Sequence, residues 1–213
     1  MISRGKYGLR EFDRFVHVKS GEFRSRSFRK ILDLGSGLGR HTQLLRSEGF
    51  DAFGLDIANG AIEKSREKYP ESASHIMRGD MRSLPFKAAS FDAVLAWRVL
   101  YLDMSENIDR AIGEVRRITR QGGGLYASIR STNNTIFHLG RKSGTEIEKN
   151  TFIFPDGPLK GTTYHFFDKE EVVSRLQGYE ITELFEDELE HTPYTAEHPG
   201  LKNMFWMVYA FKK

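Results

Sequence analysis

Short apolar runs alternate with helix-like patterns through the first 130 residues. Lys30–Leu34 reads as a strand, residues 41–47 as a helix stopped near Gly49, and residues 52–55 as a second strand. Residues 61–69 carry a helical pattern that ends before Pro70. Further strands are expected over residues 74–78 and 91–96. Ser105 is placed to cap a helix whose apolar positions Ile108, Ala111, Ile112, Val115 and Ile118 repeat about every 3.6 residues. Gly122, Gly123 and Gly124 are expected to end that helix, ahead of a fifth strand over residues 125–129. Such alternation predicts an α/β fold: a doubly wound, parallel sheet with helices on both faces.

After Arg130 the pattern changes. Residues 131–160 are polar and broken by Gly140, Gly144, Pro155, Gly157 and Pro158, so a long irregular excursion is expected. Asp168 and Glu171 have the spacing of a capping box for a helix reaching Leu176, with Gly178 as its stop. Residues 179–189 and 205–211 read as two strands able to close the sheet as an antiparallel hairpin.

Composition narrows the class. A chain of 213 residues, 39% hydrophobic and 29% charged, is enough for one domain with a real core. No apolar run approaches the roughly 20 residues of a membrane span. Residues 1–6 open no apolar stretch, so no signal peptide is expected. Cysteine is absent, which rules out disulfides, thiolate metal sites and a cysteine nucleophile, and fits a reducing cytoplasm, the expected location. The net charge of +3 is too small to announce a nucleic-acid partner. Its distribution is uneven: nine Lys/Arg against three acids over residues 1–30, and an acidic stretch from Asp168 to Glu190. The two readings are solvated faces of opposite sign and a basic entrance that draws in an anionic substrate.

The most informative segment is Ile31-Leu32-Asp33-Leu34-Gly35-Ser36-Gly37-Leu38-Gly39-Arg40, a buried strand running into a glycine-rich turn that opens a helix. Glycines let the backbone turn sharply and bring bare amides against a ligand, and the helix N-terminus adds partial positive charge. In open α/β sheets such a crevice at the strand ends takes nucleotide-like ligands. The dinucleotide spacing G-x-G-x-x-G is not met, because Arg40 stands where the third glycine belongs. The Gly-Lys-Ser/Thr of a phosphate loop is missing as well. Asp33, two positions before Gly35, suits a cofactor with a free ammonium group.

At these residues the chain resembles the class I S-adenosylmethionine-dependent methyltransferases, whose signature is an acid followed by three alternating glycines after the first strand. The resemblance covers about residues 28–130. It implies a mostly parallel seven-stranded sheet with an antiparallel last strand, and S-adenosylmethionine as cofactor. It assigns cofactor contacts to Asp33, Gly35, Gly37 and Gly39. It places Asp56, at the end of the second strand, on the ribose hydroxyls beside Ile57, and Asp80 near the adenine amine beside Met81. Ser90 to Ala96 resembles the fourth-strand motif, and Leu84-Pro85-Phe86 resembles the stretch that precedes it in small-molecule members. Residues 204–211 are similar to the family's reversed last strand. One domain over residues 1–213 is implied, with an N-terminal helical or lid segment at 1–28, a cofactor core at 29–130, and a cap with closing strands at 131–213.

The remaining candidates follow from position. Arg40 and His41 begin the helix after the glycine turn, within reach of a cofactor carboxylate. Trp97, Arg98 and Tyr101 follow the fourth strand, where a methyl acceptor would meet the sulfonium. Trp97 and Tyr101 are equally suited to core packing, while Arg98 can hold an anionic acceptor. His138, His165, His191 and His198 lie after the fifth strand, and His165 is the candidate general base. No metal is expected, since His191, His198 and their glutamates lack ligand spacing. Tyr7 and residues 131–160 are expected to cap the transferable methyl. The absence of cysteine and of an Asn-Pro-Pro-Tyr exit motif sets aside two nucleic-acid classes, so a small-molecule acceptor is favoured. An RNA or protein acceptor, a cofactor-binding regulator and a nicotinamide oxidoreductase remain as alternatives. Neither the acceptor nor the oligomeric state is legible.

Overall fold

The computed structural model describes residues 13–156, 159–189 and 201–213. Tyr7, His191, His198 and most of the 191–201 loop lie outside the described residues. Among the described residues two sheets are present: seven strands in the order β3-β2-β1-β4-β5-β10-β9, and three in the order β6-β7-β8. The central strands β1 (Lys30–Leu34) and β4 (Phe91–Trp97) are buried almost throughout, as helix coverage of both faces requires. They pair in parallel with each other, β1 also with β2 (Asp51–Asp56), and β4 with β5 (Thr119–Arg130). β3 (Ile76–Arg78) flanks β2. The strand order reverses between β1 and β4, which opens a crevice at their carboxyl ends. The expected hairpin is present: β10 (Met204–Lys212) runs antiparallel to both β5 and β9 (Tyr179–Glu188).

Helices cover both faces. α2 (Arg40–Ser47), α3 (Asn59–Lys68) and α4 (Ser105–Ile118) fall close to their expected positions. All five apolar positions expected to face inward on α4 are buried. Ser105 is not the cap, however: Met104 occupies that place and makes no side-chain cap bond. α1 (Arg14–Ser25) docks by Phe23, whose ring meets Tyr126 edge-on at 4.7 Å. α6 (Lys169–Arg175) starts as expected, with the Asp168 carboxylate accepting the Glu171 N–H at 2.8 Å.

Three further expectations are corrected. The glycine triplet does not end α4. The helix closes at Ile118 and β5 begins at Thr119, so Gly122 to Gly124 lie inside the strand, in a bulge opposite Phe91–Ala93. Gly123 has no room for a side chain there, because a Cβ would sit 2.6 Å from the Asp92 carbonyl. Ser74 and His75 belong to a short 3-10 helix (Pro70–His75) rather than to β3. The segment 131–160 is not irregular. It holds α5 (Thr135–Ser143), capped by Asn134, and two short strands, β6 (Thr145–Glu148) and β7 (Thr151–Ile153), which pair with β8 (Thr163–His165). Phe137, Phe152, Phe154 and Phe166 give this unit its own small core. It sits beside the exit of β4, since His165 donates its N–H to the Tyr101 carbonyl and Glu148 accepts from the Ser105 N–H.

Candidate functional site

The glycine turn is built by backbone geometry that side chains resist. Gly35, Gly37 and Gly39 have φ of 70°, 53° and 74°. A Cβ on Gly35 would press against Val99 at 2.6 Å, and one on Gly39 would meet Ser65 Oγ at 2.0 Å. Gly37 faces open space instead, so its freedom serves the turn and leaves its surface bare. The amides of Gly35 and Ser36 donate to the Leu55 carbonyl. Asp56 then ties the turn to β2: one carboxylate oxygen accepts the Gly37 N–H and the other the Ala58 N–H, both at 2.9 Å.

A cleft of about 180 Å³ opens beside this turn. Its lining includes Gly35, Asp56, Ile57, Asp80, Met81 and Arg98 from the expected set. Arg82, Val99, Leu102 and Asp103 line it as well and were not anticipated. Ile57 is 57% exposed and Leu102 38%, an apolar rim suited to a flat aromatic group. The Asp80 carboxylate is gripped by the Arg82 guanidinium, which also reaches Asp103 at 3.5 Å, so its charge is already answered. This hydrogen bonding holds the Asp80 carboxyl below the usual aspartate value.

Asp33, Gly37, Gly39, Arg40, Trp97, Tyr101 and His165 do not line the cleft. Asp33 is fully buried beneath the turn and accepts a hydrogen bond from the Thr42 hydroxyl at 2.7 Å. Burial pushes its carboxyl up to about 6, against the pull of Thr42 and Arg40. Trp97 is buried and donates its indole N–H to Asp13 at 3.1 Å. Asp13, the cap of α1, also donates its backbone N–H to His41 Nε2. Burial, with Arg40 and Arg98 nearby, keeps His41 well below the ordinary histidine pKa and therefore neutral. Sequence reasoning missed Asp13, although its place just before a helical pattern is a cap signal. His165 is 2% exposed, with its ring nitrogens bonded to Thr151 and Glu171. That is the environment of a structural tie between β7, β8 and α6, not of a free base.

Arg98 turns the chain out of β4 with φ of 61°, a conformation uncommon for a residue with a side chain. Its N–H is fixed by the Ser128 hydroxyl at 2.9 Å. The guanidinium lies 3.9 Å from Asp13 and faces the Phe205 ring at 5.6 Å. Burial depresses Arg98 from its ordinary value, Tyr101 and Asp13 pull it upward, and Arg130 pushes it down again. Arg40 is likewise depressed by burial and by Arg98. Arg98 thus brings positive charge to the cleft at the exit of β4, with Arg40 and Arg130 close behind it. No cluster able to hold a metal ion occurs among the described residues.

Residues 32–127 match the family model of a methyltransferase domain. A malonyl-[acyl-carrier protein] O-methyltransferase from Salmonella typhimurium is 31% identical over 98 residues, covering 46% of this chain and 38% of that protein. The chain thus spans less than half the length of the curated relatives it matches. Among solved structures, a SAM-dependent methyltransferase from Methanosarcina mazei superposes with a TM-score of 0.75 at 25% identity, covering 95% of this chain and 98% of the other. A magnesium protoporphyrin IX methyltransferase from Synechocystis, with SAH bound, gives a TM-score of 0.66 at 15% identity over 94% and 83% of the two chains. That last likeness is one of fold.

Proposed function

Because the chain belongs to the class I S-adenosylmethionine-dependent methyltransferase family, we propose that it transfers the methyl group of S-adenosylmethionine to a small-molecule acceptor. The observation that carries this reading is the convergence of a bare glycine turn, the Asp56 carboxylate and an apolar rim on one cleft that also reaches Arg98. These residues fit the cofactor. The open surface at Gly37 leaves room for its amino-acid portion. Asp56 retains lone pairs for ribose hydroxyls, and Ile57, Met81 and Leu102 offer apolar surface to the adenine. Asp33, buried behind the turn and bonded to Thr42, would act on the cofactor's ammonium group only through the glycine backbone or by a shift of the Thr42 contact.

When bound, S-adenosylmethionine supplies a methyl group on a positively charged sulfonium. The chain's own task is to orient the two reactants and keep water out. Residues 29–130 take the cofactor in this reading, and residues 131–213 wall the acceptor side through β8 and the Tyr101–Tyr164 stack. A base is needed only where the acceptor carries a proton at working pH. The engaged ring of His165 favours an acceptor that does not require one.

Calorimetric titration with S-adenosylmethionine, S-adenosylhomocysteine and NAD tests the cofactor. Tight binding of the first two and none of NAD is expected, and the reverse overturns the reading. Release of S-adenosylhomocysteine with added acceptors tests transfer. Binding with no turnover across a broad acceptor panel would instead mark a regulator.

A further inference from the structure

Arg130 is the last residue of β5 and is 3% exposed. Its guanidinium carbon lies 5.1 Å from the Tyr101 ring centre, 4.8 Å from Tyr164 and 5.1 Å from Phe205. These faces solvate a cation only in part. Among the described residues the five N–H donors have few partners: one long hydrogen bond, 3.3 Å to the Asn203 amide oxygen, which also serves Asn134, and a polar contact with the Tyr164 hydroxyl. The buried Nε has no hydrogen-bond partner. Among the described residues no carboxylate pairs with Arg130, although other buried or half-buried arginines, such as Arg175, hold one or more. A like charge is instead its neighbour, since Arg98 faces the same Phe205 ring at 5.6 Å.

A desolvated guanidinium in this state is electrostatically incomplete. What it lacks is an anion, and the free Nε edge presents the planar fork that a carboxylate meets with two parallel bonds. Its place is also informative. Arg98 lines the cofactor cleft, and Arg130 lies one aromatic ring beyond it. An anion entering past Arg98 would be held beside the transferable methyl. We propose that Arg130, aided by Arg98 and walled by Tyr101, Tyr164 and Phe205, is the carboxylate-binding site of the methyl acceptor, so that the acceptors of this protein are small organic carboxylates. This rests on the methyltransferase reading above and names the substrate class at that site.

The test uses the full chain saturated with S-adenosylhomocysteine. Thermal midpoints are recorded with benzoate, phenylacetate, malonate and succinate, and with the amide of each acid. At least one acid should raise the midpoint while its amide does not. Arg130→Gln should weaken that acid at least tenfold and leave S-adenosylhomocysteine affinity within twofold. Should Arg130→Gln fail to fold, Arg130→Lys keeps the charge but not the fork, and should still weaken the acid about tenfold. Acids and amides acting alike, or acid binding indifferent to the Arg130 variants, would overturn the assignment. Failure of S-adenosylhomocysteine itself to bind would instead remove the methyltransferase reading beneath it.

Discussion

Asp33→Asn should stabilise the cofactor-free protein at neutral pH. The Asp33 carboxyl is fully buried, and burial lifts it to about 6 from 3.8. Between those values the folded chain holds a proton that the unfolded chain has released, so stability falls as pH rises through the window. At about 1.4 kcal/mol per pH unit, the ionised carboxylate costs the fold about 3 kcal/mol above pH 7. Asparagine keeps the shape and can still accept from the Thr42 hydroxyl. Its amide N–H groups gain no obvious partner, which returns about 1–2 kcal/mol of that gain. The net gain at pH 7.5 is therefore about 1–2 kcal/mol. The pH dependence is cleaner, because it does not involve the amide: the variant's advantage should grow by about 1.5 kcal/mol between pH 5 and pH 7.5. Urea denaturation of both proteins without cofactor at the two pH values measures this. An advantage that stays constant with pH would refute the argument, since no ionisation would then be at stake. The same variant should bind S-adenosylmethionine at least about tenfold more weakly if the carboxylate serves the ammonium group.

Asp56→Ala removes the acceptor of the Gly37 and Ala58 amides. Cofactor affinity should fall at least about tenfold while the fold survives, and unchanged affinity by calorimetry would place the ribose elsewhere. Gly39→Ala must push a Cβ against Ser65 at positive φ and should cost about 2 kcal/mol or more by denaturant titration. Gly37→Ala, which meets nothing, should cost about 1 kcal/mol in stability and act mainly on cofactor binding. Arg98→Ala should raise the acceptor KM more than it weakens cofactor binding, and the opposite ordering would remove Arg98 from the acceptor site. His165→Gln should lower stability by about 1–3 kcal/mol through its bonds to Thr151 and Glu171 and leave the pH profile of turnover unmoved. A lost acidic limb would identify a base after all.

The cofactor half was legible because its signals are local. Short continuous apolar runs, period-3.6 burial, the glycine turn and the acid at the end of β2 each lie within a few consecutive residues. The backbone there has few ways to satisfy its hydrogen bonds, so α2, α4 and β4 appear close to where the pattern puts them. The same locality misled at Gly122 to Gly124, where the pairing partner Phe91 and the nearby Asp92 carbonyl decide that glycine means bulge rather than helix stop. It misled again over residues 131–160, whose strands of three or four residues are stable only against β8 and Phe166, elements later in the chain.

What the sequence determined alone was the sheet order's local units and the cofactor turn. The electrostatic fate of single side chains was settled by contacts between distant segments. Asp80 has its charge answered by Arg82, and His165 is drawn into a buried tie. Arg130, an unremarked residue at a strand end, becomes a guanidinium enclosed by three rings that come from three separate segments of the chain. Charge and burial depend on every group within a few ångströms, whatever its distance along the chain, so they come into being only when the long-range contacts close.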